Sequence, residues 1–144
     1  MKKAIALHFV PLTLILAFPA FANSLDTYIG LKRLILVSSA TVAVSEGINA
    51  SFVKQRMQLE ERDLTIIDIS ENSHKITAAL RLPPEKTAAI RNELKLKSGE
   101  TRTVFILVGK DGGEKARCYD ALDLERWFAL IDQMPMRKAE ILAR

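Results

Sequence analysis

TVFILVGKDGGEKARCY, residues 103–119, is the stretch that decides the fold. Its first six residues, 103–108, are β-branched, aromatic or aliphatic without polar alternation, which is typical of a strand covered on both faces. Residues 110–113 (KDGG) tolerate positive φ angles, and residues 114–119 then alternate charged and apolar side chains. The stretch therefore predicts a hairpin that joins a strand in the middle of a sheet to a half-exposed edge strand.

Two further apolar runs predict the strands that accompany this hairpin. LILV at residues 34–37 does not alternate with polar residues, so it predicts a second central strand, with Lys32 and Arg33 at its solvated start. A helix capped by its first serine is expected over residues 45–61, and LTIIDI at residues 64–69 predicts a third strand. Because the crossover between these two strands is long enough for parallel pairing, the fold class is predicted to be α/β.

Helix signals complete the pattern in the second half of the chain. Pro84 suits the first turn of one helix, which would lie between the third strand and the hairpin. Asp123 is a typical N-cap for a helix that extends to Gln133, and Pro135 interrupts that helix, which can restart over residues 136–142. The predicted order is therefore strand, helix, strand, helix, hairpin, helix.

Residues 1–22 have the features of a secretory signal peptide. The positively charged start Lys2-Lys3 is followed by a mostly apolar run over residues 4–18 and by the small-x-small motif Ala20-Phe21-Ala22. The apolar run is too short to span a bilayer comfortably, although an uncleaved N-terminal anchor is the alternative. The sequence therefore predicts export, with cleavage after the last residue of that motif.

Cleavage would leave a single domain, residues 23–144, in the periplasm or secreted. Removal of 22 of the 144 residues leaves 122, which is enough for one compact domain. Since the removed segment carries two lysines and no acid, the formal net charge falls from +4 to +2. No run of lysines and arginines with interleaved aromatics is present, so nucleic-acid binding is not predicted. No second apolar segment predicts stable membrane insertion after cleavage.

Cysteine and histidine are too scarce for most catalytic or metal sites. Cys118 is the single cysteine, so no intramolecular disulfide, CxxC pair or multi-cysteine zinc site can form. It shares a strand face with Ala116 and is interpreted as a small buried hydrophobe, with a reactive thiol as the alternative. His74 and Asp68 suggest a carrier for a metal or small ligand, but the ligands are too few. No cofactor or metal is predicted.

Three stretches resemble a known protein family. They are ERDL at residues 61–64, FILVGKDGGEK at 105–115 and LIDQMPMR at 130–137, and they resemble the domain of unknown function 4174. That family occurs in exported bacterial proteins and in animal extracellular matrix proteins with sushi repeats, and is regarded as thioredoxin-like and related to the peroxiredoxins. The resemblance implies a three-layer thioredoxin-like fold, with a mixed central sheet of four or five strands and flanking helices. It implies no established reaction.

The resemblance also indicates where redox residues would be expected. Thioredoxins and peroxiredoxins place the reactive cysteine after the first central strand, where a helix N-terminus lowers its pKa. Residues 38–47 contain no cysteine, and residues 100–102 contain no proline to face one. Arg102 is in a position similar to that of the peroxiredoxin arginine beside the thiolate. The thiol redox apparatus is therefore expected to be absent.

These observations predict an exported, redox-inactive domain that binds another protein or an envelope component. The candidate binding residues lie in the stretches that carry the resemblance: Arg62, Lys110, Asp111 and Arg137. The alternative is an enzyme, a one-cysteine thiol peroxidase or oxidoreductase in which Cys118 reacts beside Arg102.

Overall fold

A mixed five-stranded sheet lies at the centre of the computed structural model, which describes residues 24–71 and 76–143, except for the side chains of residues 42–44. The strands are β1 (Arg33–Ser38), β2 (Leu64–Asp68), β3 (Leu80–Arg81), β4 (Val104–Val108) and β5 (Glu114–Tyr119). The helices are α1 (Val42–Lys54), α2 (Arg56–Glu61), α3 (Pro84–Glu93), α4 (Leu124–Asp132) and α5 (Pro135–Leu142), and a short 3-10 helix, Asp26–Tyr28, precedes β1.

The strand order is β3-β2-β1-β4-β5, so the first strand of the sequence is the middle strand of the sheet. β1 pairs with β2 in parallel, and β2 pairs with β3 in parallel. β4 runs antiparallel to β1, and β5 runs antiparallel to β4 at the sheet edge. This topology confirms the predicted α/β class, the parallel crossover and the hairpin of a buried strand with an edge strand.

Apolar side chains cover both faces of the sheet, which gives the predicted three layers. On one face, residues of β1 and β4 such as Ile35 and Phe105 pack against Phe52 of α1 and Trp127 of α4. On the other face, Leu36 and its neighbours pack against α3. Since all residues of β1 and β4 are buried, their uninterrupted apolar sequences follow from burial on both sides.

The first helix differs from its predicted form in where it starts and in its continuity. α1 begins at Val42 rather than at Ser45, and a break at Gln55 separates it from α2. Ser45 therefore lies inside the helix, and its hydroxyl lies 3.0 Å from the carbonyl oxygen of Thr41 one turn earlier. Serine makes such bonds to the preceding turn within helices, so a serine near a helix start does not identify the cap by itself.

Two local predictions are confirmed by the backbone geometry. Asp123 caps α4, with its side chain accepting a hydrogen bond from the backbone N–H of Arg126. Gly112 adopts a φ angle of 77° in the turn between β4 and β5, and a Cβ atom there would lie 3.1 Å from Ile29. The turn therefore requires glycine for its backbone angle, and the space beside it is narrow.

The predicted signal peptide, residues 1–22, lies outside the described residues, as does His74. Among the helices of residues 24–71 and 76–143, none is both long enough and apolar enough to cross a membrane.

Candidate functional site

Five buried hydroxyl groups lie at the carboxyl ends of β1 and β2, where open α/β sheets carry their functional groups. We call this set the hydroxyl cluster; its members are Ser38, Ser39, Ser45, Ser70 and Thr103. The backbone N–H of Ser39 donates to the Ser70 hydroxyl at 2.9 Å, and the hydroxyls of Ser39 and Ser45 lie 2.9 Å apart. The backbone N–H of Ala40 donates to the Thr103 hydroxyl at 3.2 Å. The cluster thereby connects β1, β2, α1 and the start of β4.

Arg91 of α3 fixes the ends of the two strands at this cluster. Its guanidinium is buried and donates to the Ser38 hydroxyl at 2.8 Å and to the carbonyl oxygens of Ile69 and Lys97 at 3.0 Å. It also lies 3.5 Å from the Glu71 carboxylate. Because these contacts use the guanidinium inside the protein, Arg91 acts as a structural connector here.

A surface pocket of about 420 Å³ lies beside Arg91. Glu71 lines this pocket and accepts hydrogen bonds from the Ser98 hydroxyl and, at 2.9 Å, from the backbone N–H of Gly99. These hydrogen bonds lower the pKa of Glu71 below its ordinary value, and the bond from Ser98 has the larger effect. The carboxylate is therefore ionised at neutral pH and already bonded to the adjacent loop.

Among the described residues, no histidine or other base is bonded to a serine hydroxyl of the cluster. Asp68, at the end of β2, accepts from the backbone N–H of Ser70 at 2.9 Å and so caps the local turn. The two histidines of the chain, His8 and His74, fall outside the described residues. No group of three or more metal-binding side chains occurs within residues 24–71 and 76–143. In the described part of the chain, the serine hydroxyls of the cluster therefore bond to other hydroxyls, backbone groups and Arg91, and none of them bonds to a base that would activate it.

Cys118, the candidate reactive thiol, lies on β5 opposite Phe105. It is half-buried and packs with Ala116 against the core on the α1 and α4 side of the sheet. Burial raises the pKa of the Cys118 thiol above its ordinary value. The thiol is therefore protonated at neutral pH, which is the less nucleophilic form.

Arg102 is not brought together with that thiol. Its guanidinium stacks on the ring of Tyr119 at 4.4 Å, and its Nε donates to the Asp120 carboxylate at 2.9 Å. Adjacent residues of a strand point to opposite faces of the sheet, so Tyr119 and Cys118 lie on different faces. The alternative thiol site is thus divided between two sides of the protein.

Three of the four candidate binding residues lie at the other end of the sheet in a buried ion-pair network. Its cations are Arg33, Arg62, Lys110 and Arg137, and its carboxylates belong to Glu61, Asp63, Asp132 and Glu140. All four cationic side chains are at least nine-tenths buried. The network joins the starts of β1 and β2, the end of β4 and the C-terminal helices.

Glu140 of α5 connects two cations in one half of the network. Arg33 donates to both of its carboxylate oxygens at 3.1 Å, and Lys110 Nζ lies 2.7 Å away. Lys110 also donates to Asp63 at 2.8 Å. Burial opposes ionisation of Glu140, but the hydrogen bonds from Arg33 and Lys110 outweigh it and hold the Glu140 pKa below its ordinary value.

Asp132 has the corresponding position in the other half. It accepts from Arg62 at 2.6 Å and from Arg137 at 3.1 Å, and Arg137 also donates to the Glu61 carboxylate at 2.8 Å. Burial raises the pKa of Asp132, but these two guanidinium groups outweigh burial and lower it overall. Arg62 additionally stacks on Phe128 at 4.7 Å. Arg62, Lys110 and Arg137 therefore hold α5 and the hairpin against the sheet.

Asp111, the fourth candidate binding residue, is exposed in the hairpin turn. Its carboxylate accepts from the backbone N–H of Gly113 at 3.1 Å and from Lys115 at 2.6 Å. Burial works against ionisation of Asp111, but these bonds outweigh it and lower the Asp111 pKa. Asp111 stabilises the turn and keeps its charge at the surface.

Sequence reasoning missed Arg33, and its expected solvated position was wrong. The Arg33 side chain is 1% exposed, whereas the neighbouring Lys32 side chain is 46% exposed. Arg33 is buried because α5 packs over the start of β1 and brings Glu140 to it from 107 residues away. Arg91 and Glu140 were missed for the same reason, since no local pattern distinguishes them from ordinary charged residues of a helix surface.

Comparison with solved structures identifies the fold. The reduced 2-Cys peroxiredoxin of Plasmodium vivax matches with a TM-score of 0.61 and 14% identity, over 80% of this chain and 84% of that one. The mitochondrial 2-Cys peroxiredoxin of Plasmodium falciparum matches with a TM-score of 0.53 and 13% identity, over 75% and 78%. The bacterioferritin comigratory protein of Xanthomonas campestris matches with a TM-score of 0.52 and 14% identity, over 81% and 83%. The predicted thioredoxin-like fold is confirmed.

Among curated proteins the chain has no match. The family described as domain of unknown function (DUF4174) matches residues 24–140, which is most of the chain. The match includes all three stretches that suggested this family from the sequence, so the chain belongs to the DUF4174 family.

Proposed function

We propose that this protein is an exported, redox-inactive thioredoxin-like domain that acts by binding another protein or an envelope component. The observation that carries the proposal is the content of the segment between β1 and α1. Where thioredoxin-like enzymes have their cysteine, this chain has Ser39, Ala40 and Thr41, and the neighbouring hydroxyls bond to one another and to backbone groups. A binding role needs the rigid scaffold of the fold but no reactive cysteine.

The state of Cys118 supports the redox-inactive part of the proposal. A peroxidatic cysteine must be a thiolate, but burial raises the pKa of Cys118, and Arg102 is bonded to Asp120 on the other face of the sheet. Export is supported by the charged start, apolar run and cleavage motif of residues 1–22.

The decisive experiment measures peroxide consumption by the purified protein with dithiothreitol as reductant, next to a Cys118→Ser variant. We expect both proteins to match the protein-free rate. The pH dependence of thiol alkylation should give a Cys118 pKa above that of an ordinary cysteine, because the thiol is partly buried. Peroxide turnover that disappears in Cys118→Ser would instead establish the thiol peroxidase.

The binding part is tested by pull-down from envelope extract with wild-type and charge-reversed protein. Among the four predicted binding residues, Asp111 is suitable for charge reversal because its carboxylate is exposed, whereas Arg62, Lys110 and Arg137 hold the fold together. If the hairpin turn contacts the partner, Asp111→Lys should lose it. A protein that recovers no partner under any condition would contradict the binding role.

A further inference from the structure

The outer edge of β2 is only partly covered by another strand. The backbone N–H of Arg33 donates to the carbonyl of Asp63, and the N–H of Ile69 donates to the carbonyl of Val37, so odd-numbered residues of this segment bond towards β1. In a parallel strand, the backbone N–H and C=O groups of the even-numbered residues then face the opposite edge. β3 pairs with β2 only at Ile67 and Asp68. In this register the N–H of Leu80 faces the carbonyl of Ile66, so the outward groups beyond the reach of β3 are the N–H and carbonyl of Leu64 and the N–H of Ile66.

A groove runs beside this part of the edge on the α1 face of the sheet. Its volume is about 550 Å³, and we call it the edge groove. Leu64 and Ile66 of β2 contribute to its lining, Phe52 and Leu59 come from the helices, and Ala78 and Ala79 come from the loop before β3. The backbone N–H of Ala78 donates to Asn49 of α1, which holds that loop beneath the helix. The groove is therefore lined mainly by apolar side chains and lies next to backbone groups of Leu64 and Ile66 that β3 does not pair.

Apolar side chains continue from the groove onto the protein surface. Val53 of α1 is 67% exposed, Met57 of α2 is 82% exposed, and Leu80 of β3 is also exposed. Arg56 and Glu60, which also line the groove, form an ion pair at 2.7 Å and so neutralise one another. The surroundings of the groove thus favour an uncharged, apolar ligand.

We propose that the edge groove binds an extended segment of a partner protein, which adds as a strand beside residues 64–66 of β2 and places alternate apolar side chains in the groove. The proposal rests on the binding role argued above and adds a docking site on the β2 side of the sheet, away from the hairpin turn that contains Asp111. Main-chain hydrogen bonds to Leu64 and Ile66 would provide affinity, and the apolar lining would select the side chains.

The dimensions of the site favour an extended peptide over a second copy of this chain. Three residues of strand extend for only about 10 Å, since each residue adds about 3.3 Å. A stable dimer buries roughly 1,000 Å² or more, whereas this site consists of three strand residues and one groove of about 550 Å³. A peptide strand needs only a few main-chain bonds and one or two side-chain pockets.

The experiment uses a capped peptide, Lys-Val-Thr-Val-Thr-Val-Lys, titrated into the protein by nuclear magnetic resonance. Binding should slow amide hydrogen exchange at Leu64 and Ile66. Two modified peptides provide the main control, one N-methylated at its valines and one at its threonines. Because alternate N–H groups of a strand face opposite edges, one modified peptide should bind at least tenfold more weakly, and the other should bind within threefold of the parent peptide.

Two protein variants with matched exposure test the groove itself. Val53→Gln should weaken binding at least fivefold, whereas Leu31→Gln should leave it within twofold, since Leu31 is 66% exposed and is not part of the groove lining. Asp111→Lys should also leave peptide binding within twofold. Sedimentation of the wild-type protein should show a monomer.

Several results would overturn the proposal. They are absence of peptide binding at millimolar concentration, equal binding of both N-methylated peptides, or equal effects of Val53→Gln and Leu31→Gln. A dimer that dissociates in Val53→Gln alone would assign the groove to a second copy. None of these results depends on peroxide turnover. Conversely, turnover through Cys118 would contradict the proposed function but would not change the result of the peptide titration.

Discussion

The two ends of the sheet are both closed by buried polar groups, but one end uses charges and the other uses mainly neutral hydroxyls. At the ion-pair network, Arg33 and Glu140 join β1 to α5, and at the hydroxyl cluster, Ser39 and Ser70 join the ends of β1 and β2. A thioredoxin-like enzyme would keep reactive groups at the hydroxyl end. Here most of the buried polar groups at both ends bond within the protein; among the described side chains, the buried atoms without a partner are Arg33 Nε and Arg62 Nε.

The difference in charge determines what a substitution should cost at each end. Removing one partner of a buried ion pair leaves an uncompensated charge, which costs about 3–5 kcal/mol. Removing one partner of a neutral hydrogen bond costs about 1 kcal/mol. The ion-pair network should therefore be the more sensitive end, and the hydroxyl cluster the more tolerant one.

Arg33→Met should have the largest effect on stability. It removes both guanidinium bonds to Glu140, which keeps Lys110 at 2.7 Å, and leaves the carbonyl of Arg62 without its donor, so we expect about 2–3 kcal/mol of destabilisation in urea unfolding. Lys32→Met is the matched control, because the Lys32 side chain is about half-exposed and pairs with Asp63 only at 3.6 Å. That variant should lose less than about 1 kcal/mol. Equal losses would show that the network contributes no more than a surface pair.

Acidification should weaken the same end selectively. The pKa values of Asp63, Asp132 and Glu140 are lowered in the folded protein, so their stabilisation is present above the unfolded-state pKa of about 4 and is lost as pH falls through the lower folded-state values. Since these carboxylates remain partly exposed, solvent screening limits the total loss to roughly 1–2 kcal/mol. Urea unfolding at pH 7 and pH 3 measures it.

A comparison of variants separates this effect from general acid sensitivity. In Arg33→Met the difference between pH 7 and pH 3 should be smaller than in the wild type, because Glu140 has lost one of the groups that lower its pKa. An unchanged pH difference in this variant would mean that the acid effect arises outside the network.

Ser45→Ala should have a smaller effect and should reveal the tolerance of the hydroxyl cluster. It removes a hydroxyl that lies 2.9 Å from Ser39 and 3.0 Å from the Thr41 carbonyl, which we expect to cost about 1 kcal/mol. Ser51→Ala, on the exposed side of α1, is the control and should be nearly neutral. A loss as large as that of Arg33→Met would contradict the contrast between the two ends.

The sequence predicted the strands and helices, but it did not predict the polar contacts that join their ends. The apolar runs of β1 and β4 identify the strands because burial on both faces leaves no polar position, and Asp123 identifies the start of α4 through a bond three residues away. Arg33 and Glu140 meet across 107 residues, and Ser39 and Ser70 across 31. Such pairs depend on how helices pack on the sheet, which local patterns do not encode.

The absence of a cysteine between β1 and α1 could be predicted, because it needs only the strand order and the residue types. The roles of Arg62, Lys110 and Arg137 could not. A lysine beside a turn, or an arginine beside a helix end, has the same local sequence pattern in both cases. It can face a partner or pair with the protein's own carboxylates. Burial by α5 distinguishes the two cases here.

Thr41→Cys in a Cys118→Ser background should produce the clearest difference in thiol chemistry. Thr41 is exposed and immediately precedes α1, so a thiolate there would gain about 0.3–1 kcal/mol from the helix N-terminus. Its pKa should fall below about 8.5, whereas burial keeps that of Cys118 above its ordinary value. Alkylation with iodoacetamide at pH 7 should therefore be faster in this variant than in the wild type. Equal rates would mean that the start of α1 gives a thiol no advantage, and would remove the missing cysteine as a basis for the proposed redox inactivity.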